Sequence, residues 1–363
     1  MRHPLHSICP YFAMFPEDFV AEQILAYTRP NDLVFDPFCG RGTTVLESLL
    51  NDRAAIGSDI NPVAACVAGA KAQVPELQEI LDRVGALDAR FEDGAREEPP
   101  TEFFSICYHP QTFAEIAYLR ATLDWKNDSI DRFIAAVMLG IMHGESHRSP
   151  IYLSNRMPRT ISTKPEYSVR WWKARKMEPP ERQTFKVLRT AVAFRFSQRL
   201  PKKQGKVVLG DSRRSAQVFE CYHGQVALVM TSPPYLNTTD YSEDQWLRLW
   251  FLGGSARPTL RLNRDDRHTV AENYWTFLRE IWTGTELLLR DNSTIVIRIG
   301  GTRLSKEALW EGLKGCFKQS MRSRTIRAIG GGKSSEIAKR QTNSFRPGTG
   351  PERLEHDFTF KVS

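Results

Sequence analysis

Two short segments far apart in the chain constrain its fold more than anything else in it. The first is Asp36-Pro37-Phe38-Cys39-Gly40-Arg41-Gly42-Thr43-Thr44, the second Thr231-Ser232-Pro233-Pro234-Tyr235. Each directly follows an apolar, β-branched run, Leu33-Val34-Phe35 before the first and Val226–Met230 before the second. Such a run reads as a buried strand, and the segment after it as a loop leaving that strand's carboxyl end. Open α/β sheets place their ligand sites at these ends.

The surrounding pattern supports an α/β reading. Residues 16–27 predict an amphipathic helix, with Pro16 in its first turn, Glu17 and Asp18 at the positive end, and Phe19, Val20, Gln23, Ile24 and Tyr27 on one face. After the glycine loop, 43–51 predict a helix and Ala54–Asp59 a second strand ending in an acid. Residues 62–200 read as mostly helical, best at 75–87, 112–124, 130–142 and 181–196, with Trp171-Trp172 in a further helix. The polar, basic, proline-punctuated tract 146–163 reads as an ordered surface loop. Strands resume at 206–209 and 226–230, helices at 242–252 and 273–289, and the last strands at 294–299 and 358–362. Glycine-rich stretches near 330–335 and 346–351 read as flexible loops between those two.

The first loop suits a nucleoside that carries no phosphate. Gly40 and Gly42 let the backbone approach a ligand, and a helix N-terminus stands just behind them. Asp59 can accept from both hydroxyls of a ribose. A dinucleotide fingerprint would need a third glycine where Val45 stands, and no Gly-Lys-Ser/Thr follows, so phosphate cradles are disfavoured. Asp36 could accept from an ammonium group and Asp211, after the third strand, from an adenine amine. Each carboxylate taken alone is as readily a helix cap or a turn residue.

The second loop suits a planar base that carries an amine. Paired prolines fix the backbone and remove donors, so carbonyls are left as acceptors. The Ser232 hydroxyl and Pro233 carbonyl can accept from an exocyclic amine, with Tyr235 stacked on the ring. Standing alone, the motif would be a Pro-Pro turn between strand and helix.

Composition bounds the partners. Net charge is +8. Residues 148–206 hold 16 Lys/Arg against 3 Asp/Glu, and 302–353 hold 12 against 4, which leaves 22 against 35 elsewhere. Two basic blocks in an otherwise acidic chain suit a polyanion or, as plainly, solvated helix faces. Arg148, Arg156, Arg159, Lys173, Arg175 and Lys176, interleaved with Tyr152, Tyr167, Trp171 and Trp172, suggest a surface that tracks phosphates and stacks bases. The plainer reading of those aromatics is helical core. The six cysteines are scattered without a Cys-x-x-Cys pair, which suggests free buried thiols and no zinc knuckle. Cys9-Pro10 lies before the cofactor loop, the wrong place for the nucleophile of a cytosine-C5 enzyme. No apolar run is long enough for a membrane span and the N-terminus lacks a secretory core, so a cytoplasmic location and no membrane partner are expected.

Together the two loops resemble those of the DNA amino-methyltransferases, and Ser-Pro-Pro-Tyr is the form associated with N4-cytosine methylation. Relatives acting on adenine N6 usually carry Asn or Asp where this chain has Ser232. The resemblance extends to His6–Ile24, Gly57–Pro62, Gly210-Asp211-Ser212 and Leu236-Asn237…Asp240-Tyr241, covering about 1–70 and 205–300. It implies a Rossmann-like S-adenosylmethionine-dependent methyltransferase fold with a mostly parallel sheet, split as 1–70 and 205–363 around a helical, basic insertion at 71–204. It implies S-adenosyl-L-methionine as cofactor, held by Asp36, Pro37, Phe38, Gly40, Gly42, Thr43, Thr44, Asp59, Ile60, Asp211 and Ser212. Ser232, Pro233, Pro234 and Tyr235 would be catalytic, without a metal or a covalent enzyme intermediate. The implied partner is double-stranded DNA with its target base flipped out, and a cognate endonuclease where the enzyme belongs to a restriction pair. In the commonest Ser-Pro-Pro-Tyr enzymes the catalytic loop precedes the cofactor loop. Here the order is reversed, and about 145 residues separate Asp59 from the third strand. Sequence recognition could therefore reside in 75–200 or in 302–353. Adenine N6, a transfer-RNA base, or a silent nucleic-acid-binding module are the competing readings.

Overall fold

A computed structural model describes residues 2–11, 15–91, 98–144, 152–157, 164–236, 245–258, 271–300, 304–329, 332–336 and 354–363. The chain divides into two compact units. One holds 11–68, 201–239 and 265–363, the other 1–10, 69–200 and 240–264.

The first unit is built on one sheet. Its strands are β1 (Leu33–Asp36), β2 (Ala54–Asp59), β3 (Lys206–Leu209), β4 (Val226–Thr231), β5 (Leu289–Gly300), β6 (Ile326–Ala328), β7 (Lys333–Glu336) and β8 (Leu354–Val362). Their order is β3-β2-β1-β4-β5-β8-β6, with β7 also paired to β8. The first five strands run parallel, and β8 runs antiparallel to β5, β6 and β7. This is the mostly parallel α/β sheet expected. Every residue of β1 and β4 is buried, which is why both read as unbroken apolar runs without alternation. The order reverses between β1 and β4, and at such a reversal two loops diverge and leave a crevice at the carboxyl edge.

Helix α1 (Glu17–Tyr27) buries Val20 and Ile24 in a small cluster with Val34, Leu228, Met230 and Val296, against which Phe19 and Tyr27 pack at the edge. Helix α2 (Thr43–Leu50) follows the glycine loop directly. The helix expected to run to Leu289 stops at Glu286, because Leu289 already pairs with Val226 as the start of β5. The basic segment after 302 holds elements the sequence reading did not expect: β7 begins inside the 330–335 stretch read as a flexible loop. The segment also contains a helix, Lys306–Ser320, capped by the Ser305 hydroxyl, which accepts from the Ala308 N–H. That helix buries Leu309, Leu313, Cys316 and Phe317 at helical spacing in the main core.

The chain leaves the first unit within α3 (Pro62–Ala72). The described elements of the second unit are helical: α4 (Leu77–Arg90), α5 (Glu102–Cys107), α6 (Pro110–Thr122), α7 (Ser129–Ile141), α8 (Pro165–Ala174), α9 (Thr184–Arg195) and a short helix Trp246–Phe251. Aromatic rings fill its interior. Phe104 packs edge-on to Trp246 and against Trp250 at 4.5 Å. Five cysteines are buried and free as expected, whereas Cys221 is exposed. No described helix is long and apolar enough to cross a membrane.

Candidate active site

The glycine loop and the proline loop leave neighbouring strands. β1 pairs in parallel with β4, Phe35 opposite Val229, so Asp36 and Thr231 end their strands on the same edge. The Thr231 hydroxyl donates to Asp36 Oδ1 at 2.6 Å, and the Thr44 hydroxyl donates to the Met230 carbonyl at 3.2 Å. Two hydrogen bonds thus tie the first loop to the second.

Asp36 is buried, and its carboxylate also receives the Phe38 N–H at 3.1 Å. Burial pushes its carboxyl up to about 6 from 3.8, against the lowering effect of hydrogen bonds from Thr231 and Phe38. Its surroundings are those of a strut between loops, with little surface left to a ligand.

Asp59, at the end of β2, is half-buried. Its Oδ2 accepts from the Gly40 N–H and its Oδ1 from the Asn61 N–H, both at 2.9 Å, and desolvation raises its carboxyl to about 6. A carboxylate has about four acceptor sites, so lone pairs remain for two hydroxyls. Ile60, next to it, leaves 60% of its surface exposed, an apolar face beside a polar one.

The two glycines of the loop do different work. Gly42 caps α2 at φ +75°, and a Cβ there would lie 2.8 Å from the Ala68 backbone, so it is required for packing. A Cβ at Gly40, at φ +49°, would meet, among the described residues, the Tyr11 ring at 3.7 Å and the Phe38 carbonyl at 3.9 Å, both ordinary contacts. Gly40 is left partly exposed. Thr43 and Thr44 are buried in the first turn of α2. Pro37 is buried, and Phe38 packs on Phe277 at 5.7 Å.

Two expected cofactor residues already hold partners within the chain. Asp211 caps the following turn through the Arg213 N–H and forms an ion pair with the Arg213 guanidinium, which also reaches Glu280. That is the cap-and-turn role open to it from the sequence. Ser212 is buried, its hydroxyl bonded to Ser58 Oγ and donating to the Pro37 carbonyl, so it holds the glycine loop against β2.

In the second loop Pro233 is buried, while Ser232, Pro234 and Tyr235 are half-buried. A long hydrogen bond of 3.4 Å runs from the Ser232 hydroxyl to the Tyr235 oxygen, and Tyr235 donates to Glu355 Oε1 at 2.8 Å. Asn237, Asp240 and Tyr241 lie outside the described residues.

Sequence reasoning did not anticipate Thr231, Arg298, Glu355 or Asp357 at this edge. The Arg298 guanidinium grips Asp357 through two hydrogen bonds at 2.6 and 2.8 Å and stacks 3.8 Å from the Phe19 ring. One signal was present: an arginine inside the apolar run Thr294–Ile299 must find a partner when that strand is buried.

The candidate nucleic-acid residues fall in the sequence of the helical unit. Arg148 and Arg159 lie outside the described residues. Arg156, Lys173, Arg175 and Lys176 are exposed, with Lys173 paired to Glu102. Arg175 stacks over Trp171 at 4.5 Å, and Tyr167 is exposed on the same helix, α8. Trp172 is core and no stacking platform: it is fully buried, its indole N–H donating to the Arg156 carbonyl. Among the described residues no cluster of His, Cys, Asp or Glu is grouped to hold a metal ion.

The fold class is thus a doubly wound α/β sheet with its candidate site at the strand-order reversal. Residues 3–68 match the DNA methylase family model for N6 and N4 enzymes. The orphan methyltransferase M.BamHII of Bacillus amyloliquefaciens is 45% identical over 49 residues, 14% of this chain and 18% of that protein. The type II methyltransferase M.Cfr9I of Citrobacter freundii is 42% identical over 52 residues, 14% and 17%. These matches span less than a fifth of either relative. Over residues 3–68 the chain is similar to the DNA amino-methyltransferases. Among solved structures, a SAM-dependent methyltransferase of Methanosarcina mazei aligns over 96% of this chain and 98% of its own, at 9% identity and a TM-score of 0.37. An rRNA methyltransferase, aviRa of Streptomyces viridochromogenes, aligns over 99% and 90%, at 13% and 0.35. Likeness at those scores adds nothing to what the strand order already says.

S-adenosylmethionine fits the residues present. Asp59 has acceptor capacity for a ribose, Ile60 offers an apolar face, and the partly exposed Gly40 lies on the loop that Asp59 holds. No cradle for phosphate is needed.

Proposed function

We propose that the chain is a site-specific DNA methyltransferase that places a methyl group on the exocyclic N4 amine of cytosine, with the target base flipped out of the duplex. The observation that carries this reading is the Asp36–Thr231 hydrogen bond, which holds the glycine loop and the Ser-Pro-Pro-Tyr loop side by side. Adjacency of this kind suits a direct transfer between two bound groups, where positioning provides most of the rate.

S-adenosylmethionine supplies an electrophilic methyl carried on a sulfonium. Asp59 and the backbone around Gly40 would hold its ribose, and Ile60 would cover its base. The amine of cytosine is a poor nucleophile because its lone pair is delocalised into the ring. Acceptance of its protons by the Ser232 hydroxyl and the Pro233 carbonyl would localise that pair and aim it. Tyr235 would stack on the ring. The exposed cations of α8, with Trp171 and Tyr167, would track the DNA backbone, which gives the helical unit the role of binding and reading the target. A cytoplasmic location, and a cognate endonuclease in a restriction pair, go with this reading.

The test is transfer of tritiated methyl to duplex DNA and to transfer RNA, followed by nucleoside digestion. N4-methylcytosine from DNA is expected. N6-methyladenine, or label in RNA alone, would replace this target by another, and bound cofactor without any product would leave a silent binding module.

A further inference from the structure

Ser232 is chemically ambivalent, and the structure contains a device that resolves the ambivalence. A hydroxyl has one proton and two lone pairs. To assist an amine it must accept, so its own proton has to be directed elsewhere. The Tyr235 oxygen lies 3.4 Å from Ser232 Oγ, and the Tyr235 proton is already given to Glu355 Oε1 at 2.8 Å. A phenol that has given up its only proton in this way can only accept from Ser232. The Ser232 proton therefore points at Tyr235, and its lone pairs face away from the relay.

We infer that Glu355 is a positioning residue for methyl transfer, setting through Tyr235 the direction in which the Ser232 hydroxyl donates. The inference rests on the proposed function. Glu355 comes from β8, 120 residues after Tyr235, and no part of the Ser-Pro-Pro-Tyr motif implies it. Its placement is built into the sheet. Gly300 lies opposite Glu355 in the antiparallel β5–β8 ladder. A Cβ at Gly300 would come 2.4 Å from the Leu354 carbonyl and 3.2 Å from Glu355 Cγ, so only glycine leaves this carboxylate its place.

The Tyr235 proton and the Arg298 charge favour Glu355 as an acceptor. Arg298 Nη1 lies 3.8 Å from Glu355 Oε2, while the same guanidinium is held bidentate by Asp357 and capped by the Phe19 ring. Arg298 thus attracts Glu355 without taking the oxygen that Tyr235 uses. Tyr235, Arg298 and Asp357 are the charged or titratable groups that act on Glu355. Burial, with the Asp357 charge, raises its carboxyl above the ordinary range, and the Tyr235 hydrogen bond and Arg298 oppose that rise.

The test is a double-mutant cycle on the single-turnover rate, with cofactor and DNA saturating. Glu355→Gln replaces an obligate acceptor by a group that can also donate, and should slow transfer about tenfold with cofactor affinity and unfolding midpoint unchanged. In a Ser232→Ala chain the same change should alter the rate less than about twofold, because there is no hydroxyl left to orient. Tyr235→Phe removes one oxygen, should reproduce the loss, and serves if Glu355→Gln does not fold. Losses that multiply in full, or a Glu355→Gln chain as fast as the parent, would overturn the inference while the proposed function stands. A parent chain that binds cofactor and methylates no base would overturn both.

Discussion

Asp36 offers the sharpest quantitative prediction. It is 2% exposed, and burial raises its carboxyl from 3.8 to about 6. A shift of about two pH units corresponds to about 3 kcal/mol between the folded and unfolded states. The sign follows from which state holds the proton more tightly. With the folded value above the unfolded one, the stabilisation is complete below pH 3.8 and is lost as pH rises through about 6. Asp36→Asn removes this titration and keeps an oxygen able to accept from Thr231 and Phe38. Urea unfolding of both chains without cofactor, at pH 4 and pH 7, reads the effect as a difference, so that carboxylates titrating in both chains, Asp59 among them, cancel. From pH 4 to pH 7, which spans most of that titration, the Asn chain should gain about 2.4 kcal/mol relative to the parent. A difference that stays constant over that range would show that Asp36 is not held protonated by burial, and the strut argument would fail with it.

The remaining predictions test the loops and the DNA surface. Gly42→Ala should lower stability by about 2–4 kcal/mol, from left-handed strain plus a clash with the Ala68 backbone. Gly40→Ala should cost only about 1–2 kcal/mol, yet weaken S-adenosylmethionine binding more than its stability loss suggests; calorimetry of both variants separates the two roles. Ser232→Ala should leave cofactor affinity nearly intact and slow methyl transfer by roughly an order of magnitude or more, and a collapse of cofactor binding would reassign the loop. Replacing Arg175 and Lys176 by Ala should weaken DNA binding uniformly across sequences and flatten its salt dependence, by a slope of about 1 for each phosphate no longer neutralised; an unchanged slope would remove α8 from the DNA surface.

The chemistry of the two loops was legible before any coordinates because its signals are local. A fully buried strand writes itself as an apolar run, a left-handed turn as glycine, and a helix start as the residues just after it; Leu33–Thr44 contains all three in twelve positions. Helix Lys306–Ser320 was equally legible in its Leu309-Leu313-Cys316-Phe317 stripe behind a serine cap, and was obscured only by the basic charge around it. Tertiary structure alone decided which side chains are already taken. Asp211 has a carboxylate in the expected place and pairs there with Arg213. Trp172 has a ring of the expected kind, but α8 turns it inward while Trp171 stays at the surface. Thr231 reaches Asp36 across 195 residues, and Glu355 reaches Tyr235 across 120. Periodicity reports neighbours within a turn or along a strand. Partners so distant in the chain are set by the order of strands in the sheet, which no short window of sequence encodes.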